Sequence, residues 1–478
     1  MAEGKLNPRE QARLEEQKKN RKIRNRYILI GAVILVMIVL VVFVNSSLFT
    51  DGLPALKVGD SKYSVADVNY EYRKAYMQFS QNYGDYLSIF FDSETPLSEQ
   101  ECTIDPDCAT WDDYFKKAAE SNLVQSTAIY KAALDAGYAL TEDEQKQVDD
   151  TMSTYSLYSS YYGYPNVNGY LAAMFGAGNN ETTVRRNMTR ESICDRYMQN
   201  IYDDATFTDA EKDAYYTEHA DSFNRVNFLY AYLTDDAETK LAEISEKAAG
   251  GDEDAFRAAV LEVTEKEATE TAYSVTSFLG QYGETVTADE LVPGKMFTQT
   301  NDAGAYAVYI TGLDDNHYNT VSVRHILIKA EDTDGDGEYS DSEMEAAYDA
   351  VKEIEAEWLA GEATEESFAA LAEEKSQDEG SAANGGLYED IYKGQMVEEF
   401  DEFCFAEHKK GDTAIVKGSS SSYSGYHLIY FVSADGELYS RVVAEEQLRS
   451  EAYNTALDQL TSGLEAARAV MWRYVMKG

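Results

Sequence analysis

Val321-Ser322-Val323-Arg324-His325-Ile326-Leu327-Ile328-Lys329 and, further on, Ser424-Gly425-Tyr426-His427-Leu428-Ile429-Tyr430-Phe431 decide the fold. Both runs are rich in β-branched and aromatic residues and read as strands. Each carries a histidine inside the strand pattern. Alone, either would be a hydrogen-bonded core histidine more often than a reacting one. Between them, Ser367-Phe368-Ala369-Ala370-Leu371-Ala372 reads as a helix that leads into Ser376-Gln377-Asp378. Gly385-Gly386-Leu387, Gly394-Gln395-Met396, Phe400 and Phe403-Cys404-Phe405 follow, and Gly411-Asp412 turns into the last strand. Strands alternating with helices predict an α+β unit.

The frame occurs twice. Val226-Asn227-Phe228-Leu229-Tyr230 parallels Val323–Leu327, and Gly304-Ala305-Tyr306-Ala307-Val308-Tyr309-Ile310 parallels Gly425–Phe431. Phe228 and Tyr306 stand where the second copy has His325 and His427. No nucleophile elbow, phosphate loop or zinc motif occurs, and no third ligand at suitable spacing joins the two histidines.

The ordered series from Val321 to Asp435 resembles the parvulin family of peptidyl-prolyl cis-trans isomerases over nearly the whole unit. The resemblance implies roles. His325 and His427 match the family's paired core histidines, and Asp378 matches the residue beside the substrate amide. Leu387, Met396 and Phe400 match the apolar pocket for the proline ring, and Ser424 the polar residue near the histidines. The family's basic phosphate-reading loop is replaced here by acidic Glu331-Asp332-Thr333-Asp334, which repels a phosphorylated substrate. Isomerisation makes and cuts no bond, so no cofactor is required. The first copy, lacking both histidines, is expected to be inert.

Charge sets the location. The 478 residues carry a formal net charge of −45, which excludes nucleic acid as a partner because phosphate binding needs a basic surface. The first 26 residues nevertheless hold nine cations against four acids. Tyr27–Val44 then runs without a charged residue, just long enough to span a bilayer. Cations on one flank place that flank in the cytoplasm and the acidic remainder outside. Asn45-Ser46-Ser47-Leu48-Phe49 shows no small-residue cleavage pattern, which favours a retained single-pass anchor over a cleaved signal.

After the anchor, capping patterns Ser64-x-x-Asp67, Thr141-x-x-Glu144 and Thr208-x-x-Glu211 start helices, and Val124–Ala136 and Tyr170–Met198 show helical periodicity. Tyr155, Tyr158, Tyr161, Tyr162, Tyr164 and Tyr170 cluster between those two stretches. They read as a helix packing face and a turn, in preference to an exposed surface that grips unfolded chains. Cys102 and Cys108 bracket a short acidic loop; a local disulfide and two free thiols are equally open. Cys194 and Cys404 read as core. The tail Glu445–Ala467 has an apolar stripe that needs a partner face, expected on the N-terminal helices.

Asp332–Glu343 fits the twelve-residue calcium loop: Asp332, Asp334 and Asp336 by side chain, Glu338 by carbonyl, Ser340 through water and Glu343 with both oxygens. Against it, Ser340-x-x-Glu343 is itself a helix-capping pattern, and a strand rather than a helix precedes the loop.

The expected organisation is therefore α+β. It comprises a basic cytoplasmic tail (1–26), a transmembrane helix (27–45), a helical chaperone lobe (51–223), a degenerate parvulin-like unit (224–316), an isomerase domain (321–435) and a C-terminal helix packing on the lobe (436–478). That plan resembles the secreted foldases of Gram-positive bacteria and their periplasmic relatives. It implies unfolded or newly exported proteins with X-Pro bonds as partners, and the membrane as a partner through the anchor.

Overall fold

The computed structural model describes residues 30, 32–37, 53–92, 94–301, 304–420 and 423–476. The basic tail and most of the 27–45 span lie outside them; 30 and 32–37 are helical. Among the described residues no helix is long and apolar enough to cross a membrane. The chain divides into two compact units, Met1–Ala205 with Ser450–Gly478, and Thr206–Arg449.

The first unit is built on helices Val65–Tyr83, Trp111–Asp135, Glu142–Tyr161, Val167–Phe175 and Glu181–Asp203. Ser64 and Thr141 each form a reciprocal capping box, satisfying the free amides that open a helix. The stretch read as continuous from Tyr170 to Met198 is broken. Gly176 and Gly178 both take φ of 92°, in the left-handed region, and Asn180 caps a new helix. Trp111, Phe115, Tyr72 and Leu123 are fully buried at the centre, with Phe79 edge-on to Trp111 at 5.3 Å. Strand Pro54–Val58 pairs with Ser61–Ser64 on one side and Ala466–Arg468 on the other. Tyr453, Leu457 and Leu460 of the tail pack against Ile129, Cys194 and Met198. Cys102, Cys108, Cys194 and Cys404 are buried free thiols.

The second unit begins earlier than expected. The division falls at Ala205/Thr206, not after residue 223, because helix Asp209–Glu218 is tied to the sheets' unit. Lys212 pairs with Glu437 and Glu445 at 2.6 Å each, and Tyr216 donates to the Asp315 carbonyl at 2.7 Å. The tail likewise does not form one block: helix Tyr439–Thr461 gives residues up to Arg449 to this unit.

Two four-stranded antiparallel sheets follow, with matching strand order. The first runs Thr269–Ser274, Arg225–Leu233, Gly304–Asp314, Met296–Asn301; the second runs Leu387–Ile391, Val321–Lys329, Ser424–Ser433, Thr413–Ser419. Their registers differ. In the second sheet His325 faces Ile429 and Leu327 faces His427. In the first, Phe228 faces Ile310 and Tyr306 faces Tyr232, two residues out of step with the second; both sheets carry a bulge at the matching place, at Asn227/Phe228 in one and Phe431/Ser433 in the other. The first copy's interior is filled by its own rings. Phe228 lies 4.9 Å from Phe278 and 5.9 Å from Tyr282, and Tyr282 lies 5.9 Å from Tyr306.

Candidate active site

His325 and His427 sit two register steps apart on adjacent strands. The period of two therefore turns both to one sheet face. Their rings lie 5.2 Å apart at 28°, with Nδ1 to Nδ1 at 3.0 Å, and both are buried. Two glycines make room. A Cβ on Gly418 would meet His427 Nε2 at 2.4 Å. One on Gly386 would meet the His325 carbonyl oxygen at 2.2 Å, and Gly386 also needs φ of +69°.

Beyond the pair, the hydrogen bonds form a chain. His325 Nε2 lies 3.0 Å from Asp378 Oδ2 and 3.0 Å from Ser381 Oγ. Asp378 Oδ2 also accepts from Ser381 Oγ at 2.5 Å and from the Tyr388 hydroxyl at 3.0 Å. At the other end, the Tyr423 hydroxyl lies 2.9 Å from His427 Nε2. One proton arrangement satisfies every contact with a single hydrogen on each ring. Tyr423 donates to His427 Nε2, His427 Nδ1–H donates to His325 Nδ1, and His325 Nε2–H donates to Asp378. The hydrogen bonds from His325, Ser381 and Tyr388 hold the Asp378 carboxyl well below the usual carboxylate range. Burial, and then the neighbouring His325, push His427 down to about 3, so it is neutral at ordinary pH.

Phe400 lies edge-on beneath both rings, 5.5 Å from His325 and 5.2 Å from His427. It anchors a cluster with Val323, Ile391, Phe403, Cys404 and Ile429, against which the half-buried Met396 packs. Leu387, expected in the same pocket, sits in its strand across from Arg324 and beside Tyr388, and it is not part of that cluster. A separate cleft of about 470 Å³ is lined by Ile328, Thr333, Glu343 and Ala347, on the side of the sheet where Ile328 packs, away from the histidine pair.

The structure brings together His325, His427, Asp378 and Phe400, and it corrects Ser424. The Ser424 hydroxyl lies 2.8 Å from Ser419 Oγ, and the position beside the pair belongs to Tyr423. The signal was present: Tyr423 shares strand parity with His427, whereas Ser424 does not. Ser381 and Tyr388 were also missed. Ser381 follows Asp378 by three residues, in a turn where the Ala382 amide donates to the Asp378 carbonyl.

In the acidic loop, carboxylate oxygens of Asp332, Asp334 and Glu343 gather within 4.8 Å. They already have partners. Glu343 Oε1 accepts from the amide and hydroxyl of Thr333, and Oε2 from those of Ser340, which holds its carboxyl down at about 2. Asp332 accepts from the amides of Gly335 and Gly337. Asp336, outside the group, accepts from the amide of Glu338. The capping pattern of Ser340 and Glu343 is therefore the one realised.

Comparison with known proteins bears on the same stretch. Residues 325–433 match the rotamase family described as PPIC-type PPIASE domain. A foldase protein PrsA 1 of Listeria innocua is 35% identical over 112 residues, covering 23% of this chain and 30% of that protein. The foldase protein PrsA of Geobacillus kaustophilus is 34% identical over 115 residues, covering 24% and 32%. This chain thus spans less than half the length of the curated relatives it matches. The crystal structure of PrsA from Bacillus subtilis aligns over 74% of this chain and 88% of its own, at 15% identity and a TM-score of 0.30.

Proposed function

We propose, from the premise that residues 325–433 form a parvulin-type rotamase domain, that this chain is a peptidyl-prolyl cis-trans isomerase and folding chaperone acting on unfolded or newly exported proteins. One observation carries the catalytic half: two buried imidazoles within hydrogen-bond distance, above an edge-on phenylalanine, tied at one end to a carboxylate.

The chemistry is a rotation. Amide resonance sets a barrier of about 18–20 kcal/mol, and an X-Pro bond turns over in tens to hundreds of seconds unaided. A site accelerates it by binding the twisted amide better than the planar one, at about 1.4 kcal/mol for each tenfold. Phe400 and Met396 grip the pyrrolidine ring. An apolar wall favours the twisted amide, whose carbonyl dipole is smaller. The chain from Tyr423 through His427 and His325 to Asp378 fixes the hydrogen-bond directions at the floor.

The first copy keeps the frame and fills the site with rings, which suits a binding or spacing role. Export and a retained anchor complete the proposal, with the basic tail in the cytoplasm and the remainder outside the cell membrane. They rest on the nine cations before the uncharged Tyr27–Val44. Isomerisation calls for no cofactor. Among the described residues the acidic cluster that could take calcium is in the Asp332–Glu343 loop, and because Glu343 is committed to Thr333 and Ser340, about 1 mM calcium is expected to leave the melting temperature unchanged.

The test is proline-limited refolding of a model protein. The full chain should accelerate it, and His427→Ala should lower kcat/KM by tenfold or more at unchanged fold. Equal rates with both proteins would leave only a binding function.

A further inference from the structure

Thr151–Asn180 is a run of 30 residues without Asp, Glu, Lys or Arg, in a chain that is 27% charged. It covers the second half of helix Glu142–Tyr161, a turn, and helix Val167–Phe175. Its inner side is packed: Met152, Leu171 and Phe175 are buried with Tyr70 and Val184. Its outer side is not. Leu157 is 71% exposed, Tyr161 81%, Tyr162 63% and Tyr158 47%. The packing face expected from the sequence accounts for Tyr155 and Tyr170, which pack against that core, and leaves the other rings in solvent.

These rings support one another. Tyr161 and Tyr162 are 5.0 Å apart and edge-on. Tyr162 lies parallel to Tyr170 at 6.3 Å, and Tyr164 meets Tyr170 at 5.5 Å. Tyr158 touches both Tyr162 and Tyr170. The result is a continuous aromatic platform held from below by Tyr170. Rings locked by their neighbours lose little entropy when covered, and each offers a large apolar area with a polar tip. The run is also rich in Tyr, Ser, Gly and Asn, the residue types that binding loops use for adaptable contact.

Charge selects the occupant. A second copy is disfavoured, because each carries −45 and the two bodies repel. The platform itself offers no charge, so it neither requires a cationic partner nor repels an anionic one locally. Its fit is to apolar and aromatic side chains on a backbone free to lie along it. We propose that this platform holds extended, weakly charged segments of unfolded client proteins, apart from the histidine site. The proposal rests on the chaperone half of the function above and not on its catalytic half.

The experiment compares the full chain with the double variant Tyr161→Ser/Tyr162→Ser. Both rings are exposed, so the fold is expected to survive, and an unchanged melting curve checks this. The probe is a permanently unfolded, carboxymethylated protein carrying a fluorophore, with binding read by anisotropy. Isomerisation of a short proline peptide is measured in parallel. The expected result is a Kd raised about tenfold or more, with peptide isomerisation unchanged. Loss of probe binding in the variant alone, with isomerisation absent in both proteins, would remove the catalytic proposal and leave this one standing, whereas no probe binding by the full chain would overturn it. An unchanged Kd in the folded variant would overturn it. So would sedimentation showing a dimer that the variant abolishes, since a second copy would then be the occupant.

Discussion

Acid should loosen the second unit through His427. The imidazole titrates near 6.5 in an unfolded chain and at about 3 in the folded one, where burial and the neighbouring His325 oppose its charge. Below pH 6.5 the unfolded state therefore takes up a proton that the folded state refuses. The stability contributed by the neutral ring is present above 6.5 and is lost as pH falls towards 3. At pH 5 the gap of 1.5 units between pH and the unfolded value corresponds to about 2 kcal/mol. For a unit the size of Thr206–Arg449 that is roughly 4–8 °C of melting temperature. The assay is thermal melting at pH 8 and pH 5, followed by near-ultraviolet circular dichroism, to which the buried Trp358 contributes. The control is His427→Phe, which keeps an aromatic ring and removes the titration. Between pH 8 and pH 5 the wild type should lose roughly 4–8 °C more than the variant. Identical pH slopes in the two proteins would refute the argument, because the ring would then not be held neutral by its surroundings.

The first unit should respond with the opposite sign. Burial, opposed by Lys74, raises the Glu71 carboxyl to about 7, in a cluster with Glu191, Arg190, Asn122, Tyr70 and Asp195. Since the folded value exceeds the unfolded one, stability is fully present below about 4.5 and falls as pH rises through 7. Glu71→Gln should therefore raise the melting temperature of this unit at pH 8 and flatten its pH profile. Tyr423→Phe should leave His427 Nε2 without its donor, costing about 1–3 kcal/mol in urea unfolding and lowering kcat/KM. Ser424→Ala, by contrast, should leave kcat/KM unchanged. Gly418→Ala should drive its Cβ into the His427 ring and depress both melting temperature and isomerisation, whereas Gly394→Ala, with open space around it, should cost only its backbone strain.

Much of this arrangement was legible because strands alternate and helices announce their starts. Once His325 and His427 are placed on neighbouring antiparallel strands, period two leaves few faces on which they can lie. The capping boxes at Ser64, Thr141 and Thr208 are local, and each is realised as a cap. What escaped was set by tertiary contacts. The split at Gly176 depends on a tight approach to Asn69, whose Cβ would lie 3.0 Å from an added Cβ. The start of the second unit depends on Lys212 meeting Glu437 and Glu445, more than two hundred positions away along the chain. The tyrosines from 158 to 164 have the spacing of a packing face, and spacing alone does not say whether another element arrives to cover it.

The two-residue difference in register between the two sheets has an engineering consequence. Writing imidazoles into the first copy at positions 228 and 306 would not recreate a touching pair, because those positions face Ile310 and Tyr232, one pleat repeat (about 6.8 Å) further out of step than in the second copy. Reviving that dormant half would first require sliding one strand along its neighbour by two residues, since a slip of one would turn every side chain to the other face. Point substitution alone cannot retrace that step.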